Sequence, residues 1–127
     1  MTETPKIQNS KTNPIETKLD FLELKHMLVN TIQNYVLDTL DKQAIYEVSS
    51  NEYSIYRIIE TSLSIGIDAV IRMNNTIDIR LVLLRMRALL QYLKSLCKDN
   101  DIQRYIKDII NELKAFDNEF KKIEDYP

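Results

Sequence analysis

One pair of residues has the spacing of a metal-ligand motif. Glu23 and His26 lie three residues apart. On an α-helix this Glu-x-x-His step directs both side chains at the same metal ion, as in di-iron four-helix bundles. Those bundles need two such motifs, whereas His26 is the only histidine of the chain. A metal site would have to be shared across a homodimer, and a solvated surface pair is the simpler interpretation.

The sequence also lacks the residues that a nucleophilic active site or a glycine-rich phosphate-binding loop requires. Cys97 is the only cysteine, and it continues an apolar helical series, which indicates a buried and inert thiol. A glycine-rich phosphate loop is excluded because Gly66 is the only glycine. We therefore predict that the protein is not an enzyme, and we expect no catalytic residue, no cofactor, no bound metal and no small-molecule substrate.

Gly66 also raises the question of a helix-turn-helix motif, which often places glycine at its turn. In a typical motif the buried positions on either side of the turn are apolar. Here Thr61 lies five residues before Gly66 and Arg72 lies six residues after it, and both are polar. We therefore interpret Gly66 as a position where a neighbouring helix approaches closely.

Positive charge is concentrated in one part of the chain. Residues 69–98 carry six basic side chains and one acidic side chain, a net charge of +5, although the whole chain has a net charge of −2. On a helix, the polar and basic residues of this segment form one stripe about 27 Å long at about 1.5 Å per residue. This basic stripe consists of Arg80, Arg87, Gln91, Lys94 and Lys98.

Three interpretations of the basic stripe follow from the sequence. It pairs with acidic faces of other helices or stays in water, it docks an acidic protein, or it binds the phosphates of a nucleic acid. The predicted first helix carries acidic residues that could supply ion-pair partners. The acidic isoelectric point of about 5.4 counts against non-specific DNA binding. The candidate contacts with an anion or a nucleic acid are Arg80, Arg87, Lys94 and Lys98.

Long helices must position these residues. The chain of 127 residues has the length of one domain, and its one glycine and three prolines leave few turns. The sequence therefore predicts an all-α protein, an antiparallel up-and-down bundle of four helices, or of five if the first helix breaks near residues 41–43. We expect residues 1–13 to form a flexible tail and residues 14–127 to form a single helical-bundle domain.

Capping patterns predict where the helices begin. The expected caps, in chain order, are Asn13, Ser49, Asn75 and one residue within 99–101. An acidic residue follows three positions after each of the first three caps, which is typical of a capping box. The first helix, with Pro14 at its first position, is predicted to continue to about residue 47.

Apolar residues recur at helical spacing after these caps. In the third helix the series is Ile79, Leu83, Met86, Leu90, Leu93 and Cys97, and in the fourth it is Ile102, Ile106, Ile109, Leu113, Phe116, Phe120 and Ile123. Residues 63–67 and 77–81 also alternate as strands would, and Asn74 and Asn75 could close a hairpin between them. We favour helices, because the second predicted helix carries a polar stripe of period 3.6 that continues through its alternating part. This stripe consists of Ser54, Arg57, Thr61, Ser64, Asp68 and Arg72.

The second and third helices carry more apolar residues than a four-helix bundle of one chain needs. The surplus either fills the centre of a single-chain bundle or forms a subunit interface, most simply in a twofold dimer. We favour the interface. The predicted apolar contacts with a partner are Ile55, Ile59, Leu63, Val70 and Leu84.

These patterns predict a non-catalytic helical scaffold, adaptor or small subunit that contacts itself, as a homodimer, or another protein. The alternative is a nucleic-acid-associated bundle, alone or as the small subunit of a ribonucleoprotein, that uses the basic stripe. The longest apolar run is the four residues 81–84, so we expect no membrane span. The lone cysteine and an N-terminus without an apolar signal-peptide run predict a soluble intracellular protein, cytoplasmic or nuclear.

Overall fold

The computed structural model describes residues 14–125, with side chains from Asp20 onward. This range forms four helices and no strand: α1 (Pro14–Ala44), α2 (Asn51–Arg72), α3 (Thr76–Leu96) and α4 (Asn100–Glu124). The predicted all-α bundle is thus confirmed, and the segments that alternate like strands are helical. Helix α1 runs without a break through residues 41–43 and ends three residues before the predicted limit. The predicted tail, with its Asn13 cap, lies outside the described residues.

The helix caps agree with the sequence at two starts and differ at one. Asn75 accepts a hydrogen bond from the Asp78 amide, and Asp99 accepts from two amides of the first turn of α4. Helix α2 begins one residue later than predicted, because Ser50 and not Ser49 caps it. The Ser50 hydroxyl accepts from the Tyr53 amide at 3.1 Å and donates to the Glu47 carbonyl at 2.7 Å, so it fixes the turn on both sides.

Each helix packs against the next along the chain, and α4 also packs against α1. Side-chain contacts of α1 illustrate how it packs against α4 and α2. The rings of Phe21 and Phe120 meet edge to face, with centroids 6.0 Å apart. The Lys25 ammonium donates to the carbonyls of Ile71 and Met73, at 2.8 and 2.6 Å, and so ties α1 to the last turn of α2. Together the four helices surround one apolar core.

The predicted apolar series of α3 and α4 form most of this core. All six residues of the α3 series are buried. In α4, Phe116 and Ile123 are half-buried and the other five residues of the series are buried. Helix α1 adds a polar exception, since Thr39 is buried and shares a hydrogen bond of 2.7 Å with the Tyr105 hydroxyl. The Thr39 hydroxyl in turn donates to the Tyr35 carbonyl, which satisfies this polar site.

Gly66 lies in the middle of α2, not at a turn, and faces Met86 of α3. A Cβ atom at residue 66 would lie 2.5 Å from both the sulfur and the terminal methyl carbon of Met86. The glycine therefore makes room for the methionine side chain, as the interpretation of a close helix approach predicts. The contact leaves a shallow groove between the two helices at this level.

Candidate partner-binding face

A band of exposed apolar residues covers neighbouring surfaces of α2 and α3. Each of its eight members is 46–64% exposed. Helix α2 contributes two of them and α3 contributes six. We call this surface the α2–α3 apolar face, and it consists of Ile58, Ile65, Ile77, Leu81, Leu84, Leu89, Tyr92 and Leu96.

The spacing of residues on α3 explains why this helix is apolar on two sides. Its inner side carries the buried series that begins at Ile79. Its outer side carries a second series at intervals of four and three residues: Ile77, Leu81, Leu84, Ala88 and Tyr92. Residues at these intervals share one face of a helix, and all five are partly or largely exposed. One side of α3 thus belongs to the core, and the opposite side has no cover within the described chain.

Two grooves join the α3 part of the face to the α2 part. At one end, Ile58 and Leu96 line a groove of about 500 Å³. Near the middle, Ile65 and Leu89 line a second groove of about 360 Å³, whose wall includes Gly66 and Met86. The second groove is mainly apolar, with the Arg85 side chain in its wall. The grooves make the face continuous across the two helices.

The structure separates the five predicted partner contacts into two groups. Leu84 is 53% exposed and belongs to the α2–α3 apolar face, and the half-buried Ile55 lines the groove beside it. The other three residues lie in the core and not on the surface, as a correction to the prediction. They are Ile59, Leu63 and Val70, and each is 0% exposed in the single chain. They form the inner side of α2, so they are not accessible to a partner that docks on the folded bundle.

The basic stripe is partly neutralised by carboxylates of α4. The Arg80 Nε atom donates to Asp117 at 2.8 Å, and its Nη1 atom donates to Glu124 at 3.0 Å. Arg87 lies 3.6 Å from the second carboxylate oxygen of Asp117. The hydrogen bonds with Asp117 and then Glu124 raise the pKa of Arg80. Among the side chains that the structure describes, from Asp20 onward, the acidic partners of these two arginines lie on α4.

The rest of the basic stripe forms no salt bridge within residues 20–125. Lys94 is half-buried, whereas Gln91 and Lys98 are exposed. Since the two arginines hold the carboxylates of α4, two lysines are left for an external anion. Of the four predicted phosphate contacts, Arg80 and Arg87 are thus ion-paired, whereas Lys94 and Lys98 form no salt bridge with the described residues.

The candidate metal-ligating and nucleophilic residues differ in their exposure. Glu23 and His26 are both exposed, and no group of three or more metal-ligating side chains lies within the described part of the chain. Cys97 is 4% exposed, and its sulfur faces the Asp99 carbonyl at 3.8 Å. This position matches the buried thiol that the apolar series predicts.

A cluster of tyrosines closes one end of the bundle. Tyr46 stacks on Tyr56 with centroids 5.8 Å apart, and Tyr105 meets both Tyr56 and Tyr35 edge to face. The Lys42 ammonium lies 4.9 Å from the centre of the Tyr105 ring. Burial raises the pKa of Tyr56 to about 12, and burial is also the main cause that raises the pKa of Tyr105. Tyr56 and Tyr105 are therefore neutral packing elements at neutral pH and not sources of a phenolate.

In residues 14–125, no helix has both the length and the apolar character that a membrane crossing requires. Comparison with models of protein families, with curated protein sequences and with solved structures finds no match to this chain.

Proposed function

We propose that this protein is a non-catalytic helical scaffold or small subunit that binds a protein partner through the α2–α3 apolar face. The observation that supports the proposal is the band of eight large apolar side chains, each 46–64% exposed, on adjacent helices. With on the order of 120 Å² for one fully exposed side chain, the band presents roughly 500 Å² of apolar surface. A patch of this size is at the upper end for a soluble monomer and is often a binding site.

We also infer that the bundle has antiparallel up-and-down order, which would leave the outer side of α3 free for a partner. Residue pairs support this order. Phe21 near the start of α1 meets Phe120 near the end of α4, whereas Tyr35 farther along α1 meets Tyr105 in the second turn of α4. The connections 73–75 and 97–99 are three residues each, which favours antiparallel neighbours.

The alternative, a nucleic-acid contact through the basic stripe, has weaker support. Phosphates would have to compete with Asp117 and Glu124 for Arg80, and with Asp117 for Arg87. Only Lys94 and Lys98 of the four candidates would contribute charge without that competition. A titration with labelled DNA and RNA at 50 and 200 mM salt tests this alternative. We expect no salt-sensitive binding, and binding that is lost when Arg80, Arg87 and Lys94 are changed to Glu would support it.

Site-specific photo-crosslinking tests the docking proposal. Leu84, which is 53% exposed, is replaced by a photoreactive phenylalanine analogue, and Leu37 of α1, which is 62% exposed, receives the same replacement as a control. The proposal expects a discrete protein adduct from position 84, seen as a mass increase on a denaturing gel, and little or none from position 37. Equal yields at the two positions, or no adduct at position 84, would argue against a docking role for this face.

A further inference from the structure

We propose that the occupant of the α2–α3 apolar face is a second copy of this chain, in an isologous dimer that pairs the outer sides of two α3 helices. The inference rests on the proposed function, because it names the partner of the same face. In an isologous contact one surface patch binds its own copy across a twofold axis. The face therefore has to be self-complementary in area, in spacing and in charge.

The area of the face matches one side of a homodimer interface. A standard interface buries about 800 Å² on each partner, and about 65% of a homodimer interface is apolar, which gives about 520 Å² of apolar surface per copy. The eight exposed residues of the face present roughly 500 Å². A second copy on this face would remove most of the apolar surface of the band from water, whereas exposed apolar residues of α1 such as Leu37 lie outside it.

The spacing on α3 suits contact with a like helix. The outer series proceeds from Ile77 to Leu84 in steps of four and three, which is one heptad, and continues to Ala88. Ala88 is exposed and is the smallest residue of the series, so two helices can approach closest there. An antiparallel pair with its twofold axis at Ala88 sets Leu84 of one protomer against Tyr92 of its partner, since these residues lie four positions either side of Ala88.

The outer series itself carries no charged residue between Ile77 and Tyr92. The neighbouring charges lie on its two flanks, with Arg85 in the wall of the groove toward α2 and Arg87 on the side of α4, beside Asp117. Two copies can therefore meet along the outer series without opposing like charges at the centre of the contact.

The N-terminal segment of the chain is a poorer occupant than a second copy. Met1 and Ile7 are the only large apolar residues among residues 1–13. Two such side chains cannot cover a band of eight. A different protein with an apolar surface would be the other occupant, and the experiment below separates it from self-association.

Light scattering and sedimentation on the full chain, from about 1 to 200 µM, test the dimer. The wild type is expected to reach twice the chain mass of 15.0 kDa. The double variant Leu81→Glu/Leu84→Glu is expected to dissociate at least about a hundredfold more readily, because it buries charge in an apolar contact. The matched control is Leu37→Glu/Leu40→Glu, which changes two exposed leucines of α1 with the same spacing and should keep the wild-type dissociation constant.

A cross-link tests the geometry without a charged substitution. Oxidised Ala88→Cys is expected to form a disulfide-linked dimer, because a twofold axis brings the two copies of residue 88 together. Thr61→Cys, on the exposed polar stripe of α2, should not, and the native Cys97 is buried and supplies a low background. A cross-link from residue 61 but not from residue 88 would overturn the proposed axis.

The outcomes separate this inference from the proposed function. A wild type that stays at 15.0 kDa throughout the concentration range overturns the homodimer. If position 84 then still cross-links to a different protein, the docking function stands with another occupant. If position 84 forms no adduct at all, the docking function fails as well.

Discussion

Burial sets the ionisation of Tyr56, whose ring lies between Tyr46 and Tyr105 at one end of the bundle. Its pKa rises from 10.0 to about 12, first because of burial and then because of Tyr46 and nearby acidic residues. The folded chain therefore holds the phenolic proton more tightly than the unfolded chain does. This contribution to stability is complete below pH 10 and is lost as the pH rises from about 10 toward 12.

We therefore predict that the free energy of unfolding falls more steeply with pH in the wild type than in Tyr56→Phe. The phenylalanine variant keeps the ring and removes the group that titrates. Urea unfolding followed by circular dichroism at pH 7, 9, 10 and 11 measures the slope. The two proteins should differ little in slope between pH 7 and 9, which serves as the control. Parallel curves above pH 10 would show that Tyr56 is not the group responsible.

The sequence could identify buried residues of α3 and α4 one by one, but not those of α2. In α4, polar residues flank a narrow apolar series, and in α3 the inner series from Ile79 to Cys97 continues at helical spacing for six residues beside an apolar outer side. In α2, isoleucines and leucines occur on both sides of the helix, and hydrophobicity alone does not separate Ile59, which is 0% exposed, from Ile58, which is 46% exposed. Only packing against α1 and α3 determines which side is inside. For this reason the partner contacts predicted from the sequence include Ile59, Leu63 and Val70, which the bundle buries.

At the scale of an element, the start of α2 depends on one hydroxyl. Ser50 bonds both the Tyr53 amide and the Glu47 carbonyl, whereas the neighbouring Ser49 is exposed. We predict that Ser50→Ala lowers the free energy of unfolding by about 1 kcal/mol, the usual cost of a lost N-cap. Ser49→Ala is the matched control and should change it by less than about 0.5 kcal/mol. Chemical denaturation compares the two, and an equal cost for both would contradict the assigned cap.

The contact between α3 and α4 includes an ion-pair network whose spacing is visible in the sequence. Arg80 and Arg87 lie seven residues apart on α3, and Asp117 and Glu124 lie seven residues apart on α4. Two helices that pack side by side bring such matched pairs together. The sequence interpretation considered acidic partners in general and pointed to the first helix. That interpretation includes α4 among the other helices, but the sequence does not single it out, because the order of neighbours in a bundle depends on how the chain closes around the core.

We predict that Asp117→Asn lowers the free energy of unfolding by about 1 to 2 kcal/mol at low salt, because two arginines lose a partly buried carboxylate. The loss should shrink at high salt, as screening weakens the native pair. Glu119→Gln removes the exposed pair with Lys122 and should cost less than about 0.5 kcal/mol. Urea unfolding in 0.05 and 1 M NaCl measures both variants. A salt-independent loss in Asp117→Asn would indicate a packing role instead.

At the scale of the whole molecule, the sequence indicates a surplus of apolar residues but not the direction in which they point. The excess of apolar residues on the second and third helices predicted a surface for a partner, and the structure has an exposed apolar band on those helices. Most of the predicted contact residues belong to the core, and the band is formed mainly by the outer side of α3. Apolar surplus can be counted along a chain, but its direction follows from the arrangement of all four helices.

The same arrangement distinguishes the two proposed interaction surfaces. The basic stripe lies on the side of α3 that meets α4, where carboxylates hold Arg80 and Arg87. The α2–α3 apolar face lies on the remaining sides, and no side chain among residues 20–125 covers it. Most residues of α3 thus belong to the core, to the ion pairs with α4 or to the exposed apolar side. This division of α3 is the main reason to expect that the protein works in contact with another chain.

The measurement that tests this account most directly is paramagnetic relaxation of methyl groups in the purified wild type. A soluble gadolinium chelate broadens methyl signals that are open to solvent. In the single chain, Leu84 and Leu37 are 53% and 62% exposed, so they would broaden alike. A face covered by a second copy predicts protected methyl signals for Leu81 and Leu84 and strong broadening for Leu37. Equal broadening of Leu84 and Leu37 at high protein concentration would contradict the account.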